Sequence, residues 1–454
     1  MKLRRTLSTL PLVFILYFCT SGGPYTTEEL VARVGPGLGL LILLLVPVFW
    51  SVPEALIVGE LASMLPEEGG YYRWVYRAFG RFWAFQNGWW TWMYSLFDMA
   101  IYPVMFNTYL AYFFPHLTAG RQWIVALVVI WGATAINLRG ALPVGRVSVV
   151  AGGLILAAFA AVVLSALPHI HHVPWAPFHA PEHAGVGAIG VALSLALWNY
   201  IGWDNASTVQ GEVVDATRSY PRALAWGVPL VVLNYLVPLT AALAATDWAA
   251  WPGRPWPEIA RMAGGGAGPA LAVAVALGGM LSALALYNSL LLAYSRIPLA
   301  MAEDGMLPAA IAKTDRNGTP RNAVLFAALF YSAFALIPLE GLVVADVLLY
   351  AMALSLEFGA LIALRRRAPE LRGAFRIPVG DAGVTVMAAI PMAILVVVVG
   401  MEITQPDYGL PAVLGALGTA ALGLVAYVAF ERRPRGPGRP GPAVASGPPE
   451  QGKA

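Results

Sequence analysis

The feature that most constrains this chain is a succession of apolar stretches, most of them about 20 residues long, separated by short segments that hold most of its arginines. Crossing a bilayer takes about 20 apolar residues in a helix, and inside lipid only a helix or a closed barrel satisfies its own backbone. Twelve stretches can be read, at 7–21, 38–65, 82–114, 122–137, 144–167, 186–210, 222–246, 269–301, 322–338, 342–364, 384–403 and 410–430. The first reaches spanning length only if the chain continues past Pro24 into a second half at 26–34. Composition agrees, with 59% apolar and 12% charged residues, where a soluble protein carries about 25% charged. A soluble core of this length needs a charged shell that the chain cannot supply. A cytosolic enzyme, a secreted disulfide scaffold and a nucleic-acid binder are therefore excluded. The lone cysteine, Cys19, rules out an internal disulfide or a cysteine-rich metal site.

Lysine and arginine set the orientation, because cytoplasmic loops collect them. With the N-terminus inside, the outer segments hold only Arg33, Arg121, Arg254 and Arg261. The inner ones hold the remainder, in groups such as Arg73/Arg77/Arg81 and Arg365/Arg366/Arg367/Arg372/Arg376. This asymmetry predicts twelve spans with both termini in the cytoplasm. The basic start at Lys2, Arg4 and Arg5 lacks a small-residue cleavage site after its apolar run, so it reads as a first span rather than a signal peptide. One permease domain is expected over 1–433, with a Pro-, Gly- and Arg-rich disordered cytoplasmic tail at 434–454.

Two spans contain helix-breaking residues at membrane depth. The first break is Ser21-Gly22-Gly23-Pro24, followed by Thr26-Thr27-Glu28-Glu29 with the spacing of a capping box. The second runs from Trp198 through Asn199, Gly202, Trp203 and Asp204 to Asn205, where Asp204 or Asn205 is placed to cap a new helix. Non-helical backbone at that depth is tolerated only where it is buried in protein or lines a cavity. The breaks fall in spans one and six, at the starts of two consecutive five-span blocks. Matching interruptions of this kind point to an inverted-repeat transporter and to its binding site.

The stretches Ser21-Gly-Gly-Pro-Tyr25, Trp50-Ser-Val-Pro-Glu-Ala-Leu56, Glu60-Leu-Ala-Ser-Met-Leu-Pro-Glu-Glu-Gly-Gly70, Trp198-Asn-Tyr-Ile-Gly-Trp-Asp204, Ala302-Glu-Asp-Gly-Met-Leu-Pro308 and Gly318-Thr-Pro320 carry a resemblance. The chain resembles permeases of the amino acid–polyamine–organocation superfamily, and within it the branch of plant-type polyamine uptake and L-type amino acid transporters. The resemblance implies an all-α membrane protein with a LeuT-like 5+5 inverted repeat and discontinuous first and sixth helices. The repeats would occupy about 7–167 and 186–364, with two extra helices at about 384–430. It also implies alternating access and coupling to protons or sodium. The chain departs from the polyamine pattern in two places. Asn107 stands where a second acid of span three is expected, and span eight, around Tyr287–Arg296, has no acid. Lysine is also absent from span five, where some proton-coupled relatives use one.

Charges at membrane depth cost about 2.5–3.5 kcal/mol on insertion scales and so call for a reason. Glu54, Asp98, Asp204, Asp346 and Glu357 are such charges. Asp204 lies in the second break, where it can meet a substrate amine or a coupling ion. Glu54 and Asp98 are candidate proton carriers. Asp346 and Glu357 read as gate or structural groups, and Glu60 and Glu212, near the cytoplasmic ends, as solvated. Arg73 and Arg77 read as plain anchors at the cytoplasmic face. The amides of Gly22, Gly23 and Tyr25 sit at the positive end of a half-helix and suit a carboxylate. The carbonyls near Cys19–Thr20 and Trp198–Asn199 suit an amine. Together with Ser21, Asp98, Tyr102, Trp203 and Asp204 these form the expected substrate site. Five histidines, His169, His171, His172, His179 and His183, share a proline-rich outer segment that reads as an irregular loop rather than a metal site.

The expected function is secondary-active, proton-coupled uptake of an amino acid across the cell membrane, with sodium as the other possible coupling ion and polyamine uptake as the alternative. A membrane-embedded enzyme would need a catalytic set gathered at one depth, and none is visible. No catalytic residue, cofactor, metal or nucleic-acid partner is expected. The partners are a small amine-bearing solute and the bilayer, with the chain as a monomer or homodimer.

Overall fold

The computed structural model describes residues 3–180, 186–315, 318–335, 342–403 and 409–431. Pro181, His183, the end of the ninth predicted span and the expected tail lie outside the described residues. The described residues form helices joined by short turns, with no strand beyond one isolated bridge between Leu7 and Val213.

In chain order the helices are α1 (Thr9–Thr20), α2 (Thr27–Val34), α3 (Pro36–Phe49), α4 (Ser51–Met64), α5 (Gly70–Phe79), α6 (Arg81–Leu110), α7 (Ala119–Asn137), α8 (Ala141–Ala166) and α9 (Val186–Trp198). A 3₁₀ segment, Asn205–Glu212, follows. Then come α10 (Ala216–Ala245), α11 (Trp256–Ala263), α12 (Gly268–Tyr294), α13 (Arg296–Glu303), α14 (Arg321–Phe334), α15 (Leu342–Arg367), α16 (Asp381–Ile403) and α17 (Gly409–Glu431).

Eight stretches among the described residues are long and apolar enough to cross a membrane: Pro36–Met64, Ala119–Asn137, Ala141–His169, Ala216–Ala245, Gly265–Glu303, Asp346–Arg367, Asp381–Met401 and Val413–Phe430. Thr9–Thr20, Ala188–Trp198 and Arg321–Phe334 are shorter apolar helices. The helix α6 is long, but a polar stripe lowers its hydropathy. Its Asn87, Thr91, Ser95 and Asp98, spaced four, four and three residues apart, share one face and are all buried. That face packs on α12 and α15. Among the described residues each predicted segment overlaps helix. The chain is an all-α, multi-pass membrane protein.

Burial sorts the helices. The apolar stretches of α12 and α15 are each 61% buried, whereas those of α7, α16 and α17 are 28% buried or less. In a membrane protein the exposed apolar sides of the latter face lipid. The core thus lies where α6 packs on α12 and α15, with α1 against α12.

Both predicted breaks are present, and neither is capped as the sequence suggested. Thr26 has φ +76°, in the left-handed region, and an N-cap residue needs extended backbone. Its hydroxyl instead receives the Asn199 side-chain amide at 3.0 Å, while Thr27 donates to the Pro24 carbonyl at 2.5 Å. In span six the helix after the break is only the short 3₁₀ segment. Asp204 occupies its cap position, but its carboxyl bonds no backbone amide of that segment.

Candidate functional site

The two breaks cross. Gly22 and Gly23 adopt φ +80° and +130°, and Gly202 adopts φ +103°, conformations that only glycine takes at little cost. At Gly202 the absent Cβ also matters, because it would run into the Cys19 carbonyl. The two non-helical segments are thereby brought backbone to backbone. Ser282 of α12 donates to the Gly22 carbonyl at 2.6 Å, which ties the first break to the central helix.

A small cavity of about 20 Å³ opens at this crossing. The end of α1 contributes Cys19, Thr20 and Ser21, and the second break contributes Trp198, Ile201, Gly202 and Asn205. From α6 come Tyr94, Asp98 and Tyr102; from α12, Leu286 and Tyr294; from α15, Asp346 and Tyr350. Larger cavities exist elsewhere, but this one sits at both breaks and gathers acids and tyrosines. The volume admits little more than a water molecule, so the cavity must widen to take a solute.

Its hydrogen bonds are specific. Asp98 accepts from Tyr102 at 2.5 Å through one oxygen and from Tyr294 at 2.9 Å through the other. Tyr94 donates to the side-chain amide oxygen of Asn205, Oδ1, at 3.2 Å. Asp346 lines the cavity, is 2% exposed, and has a carboxyl oxygen, Oδ1, with no hydrogen-bond partner. Beside the cavity, the Tyr350 hydroxyl lies 2.8 Å from Glu54 Oε1 and 2.8 Å from Asp204 Oδ1, and accepts the Gly202 amide at 3.0 Å. Glu54 Oε1 also accepts the Trp203 amide at 3.0 Å.

Of the residues expected at the site, Cys19, Thr20, Ser21, Asp98, Tyr102 and Trp198 line the cavity. Asp204 and Glu54 lie behind it, joined through Tyr350. Gly22 and Gly23 shape the break, and their amides already donate, to the Tyr17 carbonyl at 3.3 Å and the Ser21 hydroxyl at 3.2 Å. Tyr25 turns away to the Val275 carbonyl and packs on Tyr109 and Phe159. The Asn199 carbonyl is occupied by the Tyr235 hydroxyl at 2.7 Å. Trp203 is fully buried against Gly227. Asp346, Tyr350, Tyr294, Tyr94 and Asn205 are the additions that sequence reasoning missed. Asp346 carried a signal, being an acid in an apolar helix. The others are tyrosines and an asparagine like many in this chain.

Five acids, Glu54, Asp98, Asp204, Asp346 and Glu357, are buried around this crossing. Among the described residues none of them pairs with lysine, arginine or histidine. The buried arginines are engaged elsewhere. Arg296 pairs with Glu212 at 2.5 Å and lies 3.4 Å from Glu68, and Arg365 pairs with Glu60 at 2.5 Å. Glu60 and Glu212 are thus not solvated as expected but buried in ion pairs, because α15 and α13 each bring an arginine onto them. Arg73 is likewise no free anchor. It holds Asp304 at 2.6 Å and Glu303 at 2.9 Å, joining the two stretches after spans two and eight. Burial pushes the Glu68 carboxyl, in the loop after α4, well above the usual carboxylate range, and the neighbouring Glu212 adds to it. No group of three or more His, Cys, Asp or Glu among the described residues is arranged to hold a metal ion.

The family model for amino acid permeases matches residues 7–420. The chain is 35% identical over 426 residues to polyamine transporter PUT1 of Oryza sativa subsp. japonica, covering 93% of this chain and 77% of that one. It is 34% identical over 431 residues to polyamine transporter RMV1 of Arabidopsis thaliana, covering 93% and 84% respectively. A probable polyamine transporter of Arabidopsis thaliana is 34% identical over 401 residues, covering 88% and 80%.

Proposed function

Because the chain belongs to the amino acid permease family, we propose that it is a secondary-active permease that takes up di- and polyamines through the cavity at the crossing of its two breaks. The observation that carries this reading is the set of five buried acids without a cationic partner among the described residues, two of which, Asp98 and Asp346, line the cavity. Buried charge is costly unless it is paired. A ligand with two or more ammonium groups supplies the missing pairs, and aromatic neighbours such as Tyr94, Tyr102 and Tyr294 add cation–π attraction. The names of the similar plant proteins point the same way.

Amino acid uptake, the first expectation from sequence, ranks second. A substrate carboxylate needs free donors at the first break, and the amides of Gly22 and Gly23 are already engaged. The missing acid of span eight, which weighed against a polycation, is offset by Asp346, which α15 brings to the same cavity.

Proton coupling is supported by hydrogen-bond accounting. Tyr350 has one hydroxyl proton and two carboxyl oxygens at 2.8 Å, while the Gly202 amide fills one of its lone pairs. All three contacts are satisfied when one of the two acids carries a proton and donates it to Tyr350. Glu54 and Asp204 therefore share a site for one exchangeable proton. In this reading twelve spans form a LeuT-like inverted repeat in the cell membrane, with both termini cytoplasmic, as the lysine and arginine distribution indicates.

Uptake of radiolabelled spermidine, putrescine and a panel of amino acids into proteoliposomes tests the reading. Saturable spermidine uptake that rises with an inward proton gradient is expected. Uptake of amino acids alone, unaffected by excess spermidine, would overturn it.

A further inference from the structure

Two cavities away from the crossing share one side chain, Phe375. The first is an apolar groove of about 240 Å³ between α4 and α10, with Leu56 and Gly59 on one side and Leu224 and Val228 on the other. Gly59 sets its width: a Cβ there would stand 3.5 Å from both Leu224 Cδ1 and the Phe375 ring. Val52, which lines the groove, is 42% exposed. In a membrane-spanning region such a surface meets lipid.

The second cavity, of about 210 Å³, lies beyond Phe375 and is lined by Glu60, Arg365, Arg372 and Arg376. Its walls are fixed by hydrogen bonds. The Phe375 amide donates to Ser63 Oγ at 2.8 Å, and the Ile377 amide donates to Glu60 Oε2 at 2.8 Å. The negative charge of Glu60 is already answered by Arg365. Arg372 and Arg376 are exposed, and neither forms an ion pair among the described residues. The pocket directly follows the last turn of α15, whose Arg365, Arg366 and Arg367 mark the end of an apolar span.

We propose that groove and pocket together hold one anionic phospholipid, with an acyl chain along Gly59 and its phosphate at Arg372 and Arg376. Charge complementarity selects the occupant. Two unpaired arginines at a span's boundary attract an anionic headgroup, each contributing about a fivefold preference near the surface. The groove beside them is apolar and opens toward lipid, so it takes a chain. Phe375 joins the two halves, which matches one molecule that is apolar at one end and anionic at the other. This site is separate from the transport cavity, and its failure would leave the transport reading untouched.

Native mass spectrometry of the full chain, purified in detergent with equal phosphatidylglycerol and phosphatidylcholine, tests the proposal. Wild-type protein should retain phosphatidylglycerol about tenfold or more over phosphatidylcholine. The double variant Arg372→Gln, Arg376→Gln should lose that preference, and because both side chains are exposed it should fold normally. Gly59→Leu should lower retention of both lipids. Equal retention of the two lipids by the wild type, or full preference in the double variant, would overturn the proposal. So would release of phosphatidylglycerol by millimolar inorganic phosphate, which would mark a site for a free anion.

Discussion

Asp346→Asn separates substrate binding from folding more cleanly than any other change at the crossing. The wild-type carboxyl is 2% exposed, lines the cavity, and leaves Oδ1 without a hydrogen-bond partner. An unsatisfied buried polar group costs about 1–3 kcal/mol, more when charged. Removing the charge while keeping the shape should therefore leave stability unchanged or raise it by about 1 kcal/mol. Substrate affinity should move the other way. A charge-assisted hydrogen bond to an ammonium group contributes about 1.5–3 kcal/mol, so the Kd for spermidine should rise by roughly ten- to a hundredfold. Asp98→Asn is the control. Its carboxyl accepts from Tyr102 and Tyr294, so that variant should lose both stability and affinity. The assay pairs scintillation-proximity binding of labelled spermidine with thermal melts of the purified proteins. Unchanged spermidine affinity in Asp346→Asn would refute the reasoning, because the orphaned oxygen would then face something other than substrate.

Tyr350→Phe removes the hydroxyl between Glu54 and Asp204 and leaves the Gly202 amide without its acceptor. Uptake driven by a proton gradient should fall at least tenfold, while spermidine binding at fixed pH changes less; normal gradient-driven uptake would remove Tyr350 from the coupling path. Gly22→Leu forces a side chain to within 2.6 Å of Ser282 Oγ and 2.7 Å of Leu286 Cδ1 on a backbone at φ +80°. Transport should be lost although the protein inserts, which surface labelling and uptake together would check. Glu68 has its folded-state pKa raised by burial and by Glu212, so the folded protein binds this proton more tightly than the unfolded chain. Stability from this group is present below the ordinary glutamate pKa and is lost as pH rises through the folded value. Glu68→Gln should thus gain on the wild type in melting temperature between pH 5 and pH 8, and a constant difference across that range would contradict the assignment.

Much of the fold was legible because membrane insertion is governed by local quantities. Apolar length and arginine placement depend on residues close together in sequence, so the apolar segments could be located from sequence, and among the described residues each overlaps helix. The two breaks were equally legible. Ser21-Gly22-Gly23-Pro24 and the polar run after Trp198 spoil a helix wherever they are placed. Membership of the permease family followed from motifs along most of the chain. The side-chain pairing of charges was not legible. Glu60 and Glu212 looked solvated because their partners, Arg365 and Arg296, lie 305 and 84 residues away. The capping box at Thr26 failed because Asn199, from the other break, captured the threonine hydroxyl.

The site shows the same division. Cys19, Thr20 and Ser21 could be named because they adjoin a break, and Asp98 because it is an acid in a span. Asp346 and Tyr350 could be assigned only once α15 was packed against α6, since nothing within α15 says which neighbour its polar residues meet. The sequence by itself determined that the chain is a helical, multi-pass membrane protein, where two of its spans must unwind, and that acids are buried. Tertiary structure alone decided which acids converge on one cavity and which are answered by arginine. A buried charge is stabilised or left unpaired by groups within a few ångströms, and in this chain those groups come from helices far apart in sequence.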